Sequence, residues 1–279
     1  MKSFKKLAMV AALIMLPMFI VTSFAQKKVM LKYKLKEGSS FISITSLDQE
    51  ISFEANGQTM SLNQEMNMKT DIVVEENNDN FKLNTTLSTM RMVQSIFGME
   101  IIYDSEIDST KNDPMVKKIA ESLDKLVGST YSVTIDEKGE IVEYDLGSFV
   151  DNSDVTNNLT SGNSYANFPD HKVAVGDSWD ADITPLKDSD MSYHTTYTVL
   201  KIKKKAVTLG VKSKITANKL KDMDSKIDGT ITGEMIIDPK TGWTMSSEMD
   251  MEMTMEMNQG GNTFPATISG TVGVESQEK

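Results

Sequence analysis

A methionine stands at every second position of the stretch SSEMDMEMTMEMN, residues 246–258. Because side chains alternate between the two faces of a β-strand, Met249, Met251, Met253, Met255 and Met257 share one face, and acidic residues fill most of the other. Shorter copies of the pattern are EMNM, with Met66 and Met68, and TMRM, with Met90 and Met92. One face of the predicted sheet is therefore lined with thioethers.

Three interpretations of this methionine face follow from the side chain's chemistry. Methionine is an ordinary core residue, worth about 1.5–3 kcal/mol when buried. Its flexible, polarisable chain also suits the wall of an apolar ligand pocket. Thioethers bind copper(I) as well, and such a site would combine Met66 and Met68 with Met249 and Met251. Same-strand methionines lie about 6.6 Å apart, so an ion would need a ligand from an adjacent strand.

Other residue patterns that could carry chemistry are weak. The chain has no cysteine, which excludes thiol chemistry. His171 and His194 have no partner at metal-binding or catalytic spacing, and the carboxylates of Asp180 and Asp182 do not stand in a calcium-binding loop. Lys-Thr-Gly at residues 240–242 matches a motif of penicillin-recognising enzymes, but the match is accidental, since the geometry of a hairpin turn explains these residues. The sequence thus predicts a protein that is not an enzyme, with no cofactor and no dedicated metal ligands.

Most of the remaining chain alternates apolar and polar residues, with many Thr, Val and Ile and with Gly-containing turns, which is typical of antiparallel strands. The predicted strands are 28–36, 40–54, 58–75, 80–93, 98–105, 130–136, 140–146, 178–184, 191–204, 206–217, 229–238, 242–257 and 263–275. Strands of this length must twist and coil. We therefore expect a mainly β (α+β) fold, in which a long antiparallel sheet curves into a half-barrel.

One amphipathic helix is predicted at about 114–127, between Asp113 as N-cap and Gly128 as the stop signal. Its apolar face includes Val116, Ile119 and Leu123, which recur at intervals of three and four residues. An apolar helix face needs an apolar surface to cover. We expect this helix to cover the concave face of the sheet.

The chain also repeats itself. KLKEGSSF from Lys34 resembles KVAVGDSW from Lys172, and the hairpin IDEKG resembles IDPKTG. Trp179 and Trp243 follow turn glycines in the second half and are expected to anchor core packing. These features predict two related β halves, 26–147 and 171–279, joined by a polar connection at 148–170 and together forming one domain.

The first 25 residues combine three lysines with an apolar run and small residues before Gln26, which predicts a cleavable signal peptide. Its removal changes the net charge from −11 to −14, since it holds three lysines and no acid. We expect a periplasmic or extracellular protein that is not a lipoprotein, since it lacks cysteine, and that has no stable membrane anchor. The acidic charge argues against nucleic acid as a partner.

The signal peptide, YKLKEGSSF, the mid-chain helix, VAVGDSW and IDPKTGWTMSSEMDMEM resemble a family of secreted Bacteroidetes proteins that carries a domain of unknown function. The resemblance implies no activity and no catalytic residues. The layout also resembles periplasmic lipoprotein carriers and lipid-binding half-barrels, in which a curved sheet holds a helix. That likeness concerns the fold and leaves function open.

We therefore predict an exported binding protein that shelters an apolar or lipid-like ligand between sheet and helix, with helix displacement opening the cavity. The predicted ligand-binding residues are Met66, Met68, Met90, Met92, Met249, Met251, Met253, Met255, Val116, Ile119 and Leu123. The alternatives are a copper(I)-handling protein and a structural or partner-binding envelope protein without a ligand.

Overall fold

The alternating segments form twelve β-strands in a computed structural model, which describes residues 27–55, 58–77, 79–96, 98–108, 116–147, 165–183, 190–220, 223–259 and 262–279. The strands are β1 (Ser40–Ala55), β2 (Gln58–Asn77), β3 (Asn80–Ile96), β4 (Met99–Asp104), β5 (Thr130–Ile135), β6 (Ile141–Asp145), β7 (Ser178–Ile183), β8 (Ser192–Ile202), β9 (Val207–Leu220), β10 (Met223–Ile237), β11 (Thr244–Gln259) and β12 (Asn262–Glu278). The helix with described bounds is α1 (Lys117–Leu123). The predicted mainly β fold is confirmed.

All twelve strands belong to one antiparallel sheet in the order β6-β5-β3-β2-β1-β12-β11-β10-β9-β8-β7, with β4 paired to β3. The sheet is open, and its edge strands β6 and β7 are only 5 and 6 residues long. Short edges limit pairing with other chains. β11, with 16 residues, spans about 50 Å if fully extended, so the central strands must twist and coil.

β1 and β12 pair with each other where two runs of strands meet. One run is β6-β5-β3-β2-β1 and the other is β11-β10-β9-β8-β7, and β12 lies between them. β1 pairs with β12 from Phe41 to Phe53, so the sheet is continuous from one run to the other. The predicted boundary at 148–170 falls largely outside the described residues, and the predicted signal peptide lies outside them too.

The repeated turns have the same backbone geometry in both halves. Gly38 and Gly176 have φ of 79° and 92°, a region that favours glycine. The N–H of Gly38 donates to the carbonyl oxygen of Val74 at 2.9 Å, and that of Gly176 donates to Val199 at 2.8 Å. The two turns that the sequence repeats therefore have matching local hydrogen bonds.

The hairpin turns β5–β6 and β10–β11 form the second repeated pair. Asp136 accepts a hydrogen bond from the backbone N–H of Lys138, and Asp238 accepts one from the N–H of Lys240, each at 2.9 Å. The aspartate side chain thus closes both turns in the same way. The Lys-Thr-Gly sequence belongs to this turn, and the positive φ of Gly242 explains its glycine.

The prediction of a regular strand at 28–36 is wrong. This segment is extended, but its β pairing within the described residues is one isolated bridge between Val29 and Val173. Two of its backbone N–H groups form hydrogen bonds with different partners. The N–H of Tyr33 donates to the carbonyl oxygen of Glu137 at 2.7 Å, and that of Lys34 donates to the carbonyl oxygen of Thr241 at 2.9 Å. Since these partners lie on the two hairpin turns, the segment crosses between them and cannot form a ladder with one strand. We call the end of the sheet at these two turns, β5–β6 and β10–β11, the closed end.

The larger apolar core fills the closed end. It joins the crossing segment to strands from both halves, with Leu31, Tyr33, Leu83, Leu209 and Ile237 each at most 1% exposed. Trp243 stacks on Phe41 with ring centroids 4.0 Å apart, and Trp179 stacks on Tyr197 at 5.5 Å. Both tryptophans anchor core packing, as their positions after turn glycines predict.

Helix α1 is shorter than predicted. The described helix ends at Leu123. Turns follow as far as Gly128, whose φ of 82° confirms it as the stop signal. Asp113 and Pro114, the predicted start, lie outside the described residues. The Tyr103 hydroxyl donates to the carboxylate of Asp124 at 2.8 Å and so fixes the end of α1 against β4.

Candidate functional site

The strand registers define one apolar face of the sheet. In antiparallel strands, directly opposed residues point to the same side, and we call a line of such residues across the sheet a row. Met249 lies in one row with Gly233 of β10 and Val211 of β9. Val272 and Leu47 continue the row on the other flank. Both core clusters and α1 lie on this side, which makes it the concave face.

Met249, Met251, Met253 and Met255 form the central part of this face, and we call them the methionine wall. All four side chains are half-buried. Their neighbours on the same face include Ile231, Ile268 and Val272, which are half-buried as well. The wall is therefore an apolar surface that the described residues cover only in part.

The methionines of the first half have the same orientation but a different environment. Met66 opposes Met92, and Met68 opposes Met90, on the neighbouring strands β2 and β3. Their exposed fractions are 6% for Met66, 9% for Met68, 1% for Met90 and 4% for Met92. Val116, Ala120, Leu123 and Leu126 of the helical segment pack on them, and Ile119 is partly buried beside them. The concave face is thus covered by α1 over β2 and β3 and left uncovered by α1 over β11.

Glycines beside the methionine wall let the strands approach each other closely. A Cβ atom at Gly233 would lie 2.0 Å from the carbonyl oxygen of Glu248, and one at Gly270 would lie 2.3 Å from that of Asp48. A Cβ at Gly229 would lie 2.4 Å from the Cγ of Met253. Glycine inside a strand often marks such a close approach or a bend. Both strands that flank the wall, β10 and β12, therefore carry glycine where a side chain would clash with a neighbouring strand.

Tyrosine hydroxyls on the concave side remain neutral. Burial raises the pKa of Tyr131, Tyr193 and Tyr197 to about 12 each. Burial also raises the pKa of Tyr144 and Tyr165. At neutral pH these groups contribute polarity without charge.

The copper(I) set predicted from the sequence is not assembled. Met66 and Met249 lie in the same row, but Leu47 and Val272 stand between them, about 14 Å along the sheet. Met68 is likewise separated from Met251. Among the described residues, no group of three or more His, Cys, Asp or Glu side chains is placed to hold a metal ion.

The convex face carries most of the polar and charged residues of the strands. The Nδ1 atom of His194 lies 2.7 Å from a carboxylate oxygen of Asp182, and this hydrogen bond raises the pKa of the exposed imidazole. Asp180 accepts a hydrogen bond from Thr196 at 2.6 Å. His171 is exposed. His194 therefore belongs to the convex face.

A shallow depression of about 450 Å³ also lies on the sheet. Most of its lining side chains belong to the convex face, namely Thr230, Thr232, Asp250, Glu252, Ser269 and Thr271. These are hydroxyls and carboxylates, so the depression does not offer an apolar ligand a suitable surface.

Several concave residues were missed by sequence reasoning. Gln49 and Gln64 lie on the same face as the methionines, and Gly270 separates Gln49 from Met251 in one row. The alternation of β1 indicates the orientation of Gln49, which stands between Leu47 and Ile51 at every second position and therefore points to the same face. Only the strand order shows that this position lies two strands from the methionine wall.

Comparisons with known proteins give a family of unknown function and a fold. The model of that family, DUF6263, matches residues 158–244, which is 87 of the 279 residues. No curated protein matches the chain. Within the described part of the chain, no helix has the length and apolar character needed to cross a membrane.

A lipovitellin structure concerned with lipid–protein interactions is 8% identical, with a TM-score of 0.52, and the match covers 88% of this chain and 25% of that one. The translocator domain of the autotransporter NalP from Neisseria meningitidis is 7% identical, with 85% and 88% coverage and a TM-score of 0.24. A putative outer membrane lipoprotein-sorting protein domain from Vibrio parahaemolyticus is 9% identical, with 82% and 83% coverage and a TM-score of 0.15. The last two scores are too low to support an argument. The chain is thus similar in sequence, over residues 158–244, to a family of unknown function, and similar in fold to about a quarter of lipovitellin.

Proposed function

We propose that the protein binds an apolar or lipid-like ligand on the concave face of its sheet. The observation that carries this proposal is the contrast between two sets of methionines on one face. Met66, Met68, Met90 and Met92 are at most 9% exposed beneath α1, whereas the methionine wall is half-buried. The same face thus has one part whose apolar surface is covered by α1 and another part whose apolar surface is still partly exposed.

The side chains of the wall suit an irregular hydrocarbon partner. Methionine is unbranched and polarisable, so it adapts to several apolar shapes. Contiguous exposed apolar surface on a soluble protein commonly marks a binding site. Burial of this surface by a ligand would contribute about 25 cal/mol per Å² of apolar area removed from water.

Helix α1 forms the second part of the proposed site. Val116, Ile119 and Leu123 cover the first-half methionines, and this covering cluster is separate from the core at the closed end. Displacement of α1 would extend the apolar surface from the methionine wall across β12 and β1 to β2 and β3. A long acyl chain would bind along this row of strands.

The fold supports the proposal only by analogy. Lipovitellin, whose structure concerns lipid–protein interactions, shares the fold at 8% identity. Unrelated functions occur on similar folds, so the argument depends on the face itself.

A charge placed on the methionine wall tests the proposal. Met253→Asp would place a carboxylate against the ligand, where desolvation of the charge costs more than the ~1.4 kcal/mol that equals a tenfold change in affinity. The matched control is Thr254→Asp, which adds the same charge at the next residue of β11 on the exposed convex face. We expect the apolar probe N-phenyl-1-naphthylamine to bind wild type and Thr254→Asp equally, and Met253→Asp at least tenfold more weakly.

The double variant Met251→Asp/Met253→Asp should abolish probe binding while thermal denaturation still shows a cooperative transition. Equal probe affinity in the wall variants and the convex control would refute the proposal.

A further inference from the structure

The side chains of the methionine wall reach solvent, whereas the methionines of the first half are shielded from it. All four wall residues are half-buried. The first-half methionines are at most 9% exposed beneath the helical segment, namely Met66, Met68, Met90 and Met92. Oxidation of a thioether requires contact between its sulfur and a dissolved oxidant, so susceptibility follows exposure. On this face, the wall is therefore the place where a dissolved oxidant can react.

Glycines beside the wall leave two of its thioethers without a shielding side chain on one flank. Met249 is directly opposed by Gly233 on β10, and Met253 is opposed by Gly229. A Cβ atom at Gly233 would lie 2.9 Å from the Sδ atom of Met249, so this sulfur lies beside the position that a larger residue's side chain would occupy. On that flank the sulfur meets backbone, and no neighbouring side chain rises above it.

The apolar character of the wall does not by itself require sulfur. Ile231, Ile268 and Val272 of the neighbouring strands serve the same face, and leucine on β11 would bury a similar apolar area. β11 instead holds four thioethers at every second position, about 6.6 Å apart. Besides its flexibility, methionine differs from these residues in that its sulfur can be oxidised reversibly to a polar sulfoxide. The wall thus has a chemistry that aliphatic residues lack.

From this contrast we infer that the methionine wall is a site of reversible oxidation, where conversion to methionine sulfoxide releases the ligand. The oxidant is a hydroperoxide, with hydrogen peroxide as the simplest case. The sulfur lone pair attacks one peroxide oxygen, and the S–O bond forms as the O–O bond breaks. The departing hydroxide takes the proton of the transferred oxygen and leaves as water. Sulfur thereby loses two electrons, and the peroxide gains them.

The sulfoxide oxygen changes what the wall can bind. This oxygen accepts hydrogen bonds from water, and it loses them without replacement when a hydrocarbon chain covers it. Oxidation should therefore expel an apolar ligand, while the fold persists because the first-half methionines keep their packing under α1. This consequence rests on the proposed function and adds a means of regulating the same site.

Limited treatment with hydrogen peroxide, followed by peptide mass spectrometry, tests the modification site. We expect sulfoxides to form in the methionine wall at least about tenfold faster than in the first-half methionines, because exposure governs the rate. Met99 and Met245, with exposed fractions of 49% and 41%, report that the oxidant is active. In the chain unfolded by guanidinium, both sets should oxidise at the same rate. Equal rates for the two sets in the folded protein would overturn the inference.

The affinity for N-phenyl-1-naphthylamine before and after peroxide treatment tests the release of the ligand. We expect wild type to lose affinity by about tenfold or more, to keep a cooperative thermal transition, and to recover on treatment with methionine sulfoxide reductases. Each variant is compared with its own untreated sample. The variant Met249→Leu/Met251→Leu/Met253→Leu/Met255→Leu forms no sulfoxide in the wall, so peroxide should not change its affinity.

The matched control is Met99→Leu/Met245→Leu, which removes two exposed methionines outside the wall and should respond to peroxide as wild type does. Unchanged affinity of wild type after sulfoxides have formed in the wall would overturn the inference, and so would an equal loss in the leucine variant of the wall. Either result leaves the proposed function standing. Failure of the untreated protein to bind the probe would instead refute the proposed function, and the positions of the sulfoxides would still decide the modification site.

Discussion

The close packing of β10 against β11 predicts that Gly233 does not tolerate even one added methyl group. The Cβ of an alanine would lie 2.0 Å from the carbonyl oxygen of Glu248 and 2.8 Å from the Cα of Met249. Both are backbone atoms, so the strands must separate to relieve the clash. The same substitution at Gly210 meets only the flexible side chain of Leu200, at 3.3 Å.

The magnitude follows from two opposed effects at Gly233. Overpacking costs about 1–3 kcal/mol, and replacing glycine by alanine returns about 0.4–1 kcal/mol through the entropy of the unfolded chain. We expect Gly233→Ala to lower the free energy of unfolding by about 1–2 kcal/mol, which corresponds to a melting temperature lower by roughly 2–8 °C for a chain of this size. Gly210→Ala should raise the free energy of unfolding by about 0.4–1 kcal/mol, since it gains this entropy without a backbone clash.

Urea and thermal denaturation of the two variants measure this difference. Strand separation at Gly233 should also shift the packing of Met249, so the affinity for N-phenyl-1-naphthylamine should change in Gly233→Ala and not in Gly210→Ala. Equal stability of both variants would show that β10 and β11 are not held together as closely as described, and the shape of the methionine wall would then be wrong.

Three further predictions concern stability and titration. Trp243→Ala should lower the free energy of unfolding by about 3–5 kcal/mol in urea denaturation, because the side chain is buried in the core at the closed end. Asp71 has a lowered pKa because Lys279 hydrogen-bonds to it, so its contribution to stability is present above the unfolded value of about 3.9 and is lost as the pH falls through the lower folded pKa. Denaturation across pH 2–5 should accordingly show a smaller acid-induced loss for Asp71→Asn than for wild type. The raised pKa of His194 should return toward about 6.5 in Asp182→Asn when followed by NMR, and stability from this pair should fall as the pH rises through the folded pKa.

The strands and turns could be predicted because local chemistry determines them. Period-two alternation located β1 and β11 closely, and the glycine turns at Gly38 and Gly176 matched in both halves. The segment 28–36 alternates in the same way, yet it forms no ladder because its backbone bonds go to two turns that are far apart in sequence. Such partners depend on the tertiary fold, which alternation does not encode.

The candidate site could be predicted only in part for a similar reason. The sequence shows that Met66 and Met251 both belong to alternating strands, and it gives no information on how many strands separate them. The position of α1 over β2 and β3 makes one set of methionines buried and leaves the other half-buried. Gln49 lies two strands from the methionine wall because β12, more than 200 residues later in the chain, pairs with both β1 and β11.

Native mass spectrometry of residues 26–279, purified gently from a Gram-negative periplasm, tests the central claim most directly. We predict a reproducible non-covalent adduct with the mass of a lipid, present in wild type and Thr254→Asp and absent from Met251→Asp/Met253→Asp. A bare polypeptide mass for wild type, or an adduct that survives in the double variant, would contradict the assignment of the methionine wall as a ligand-binding surface.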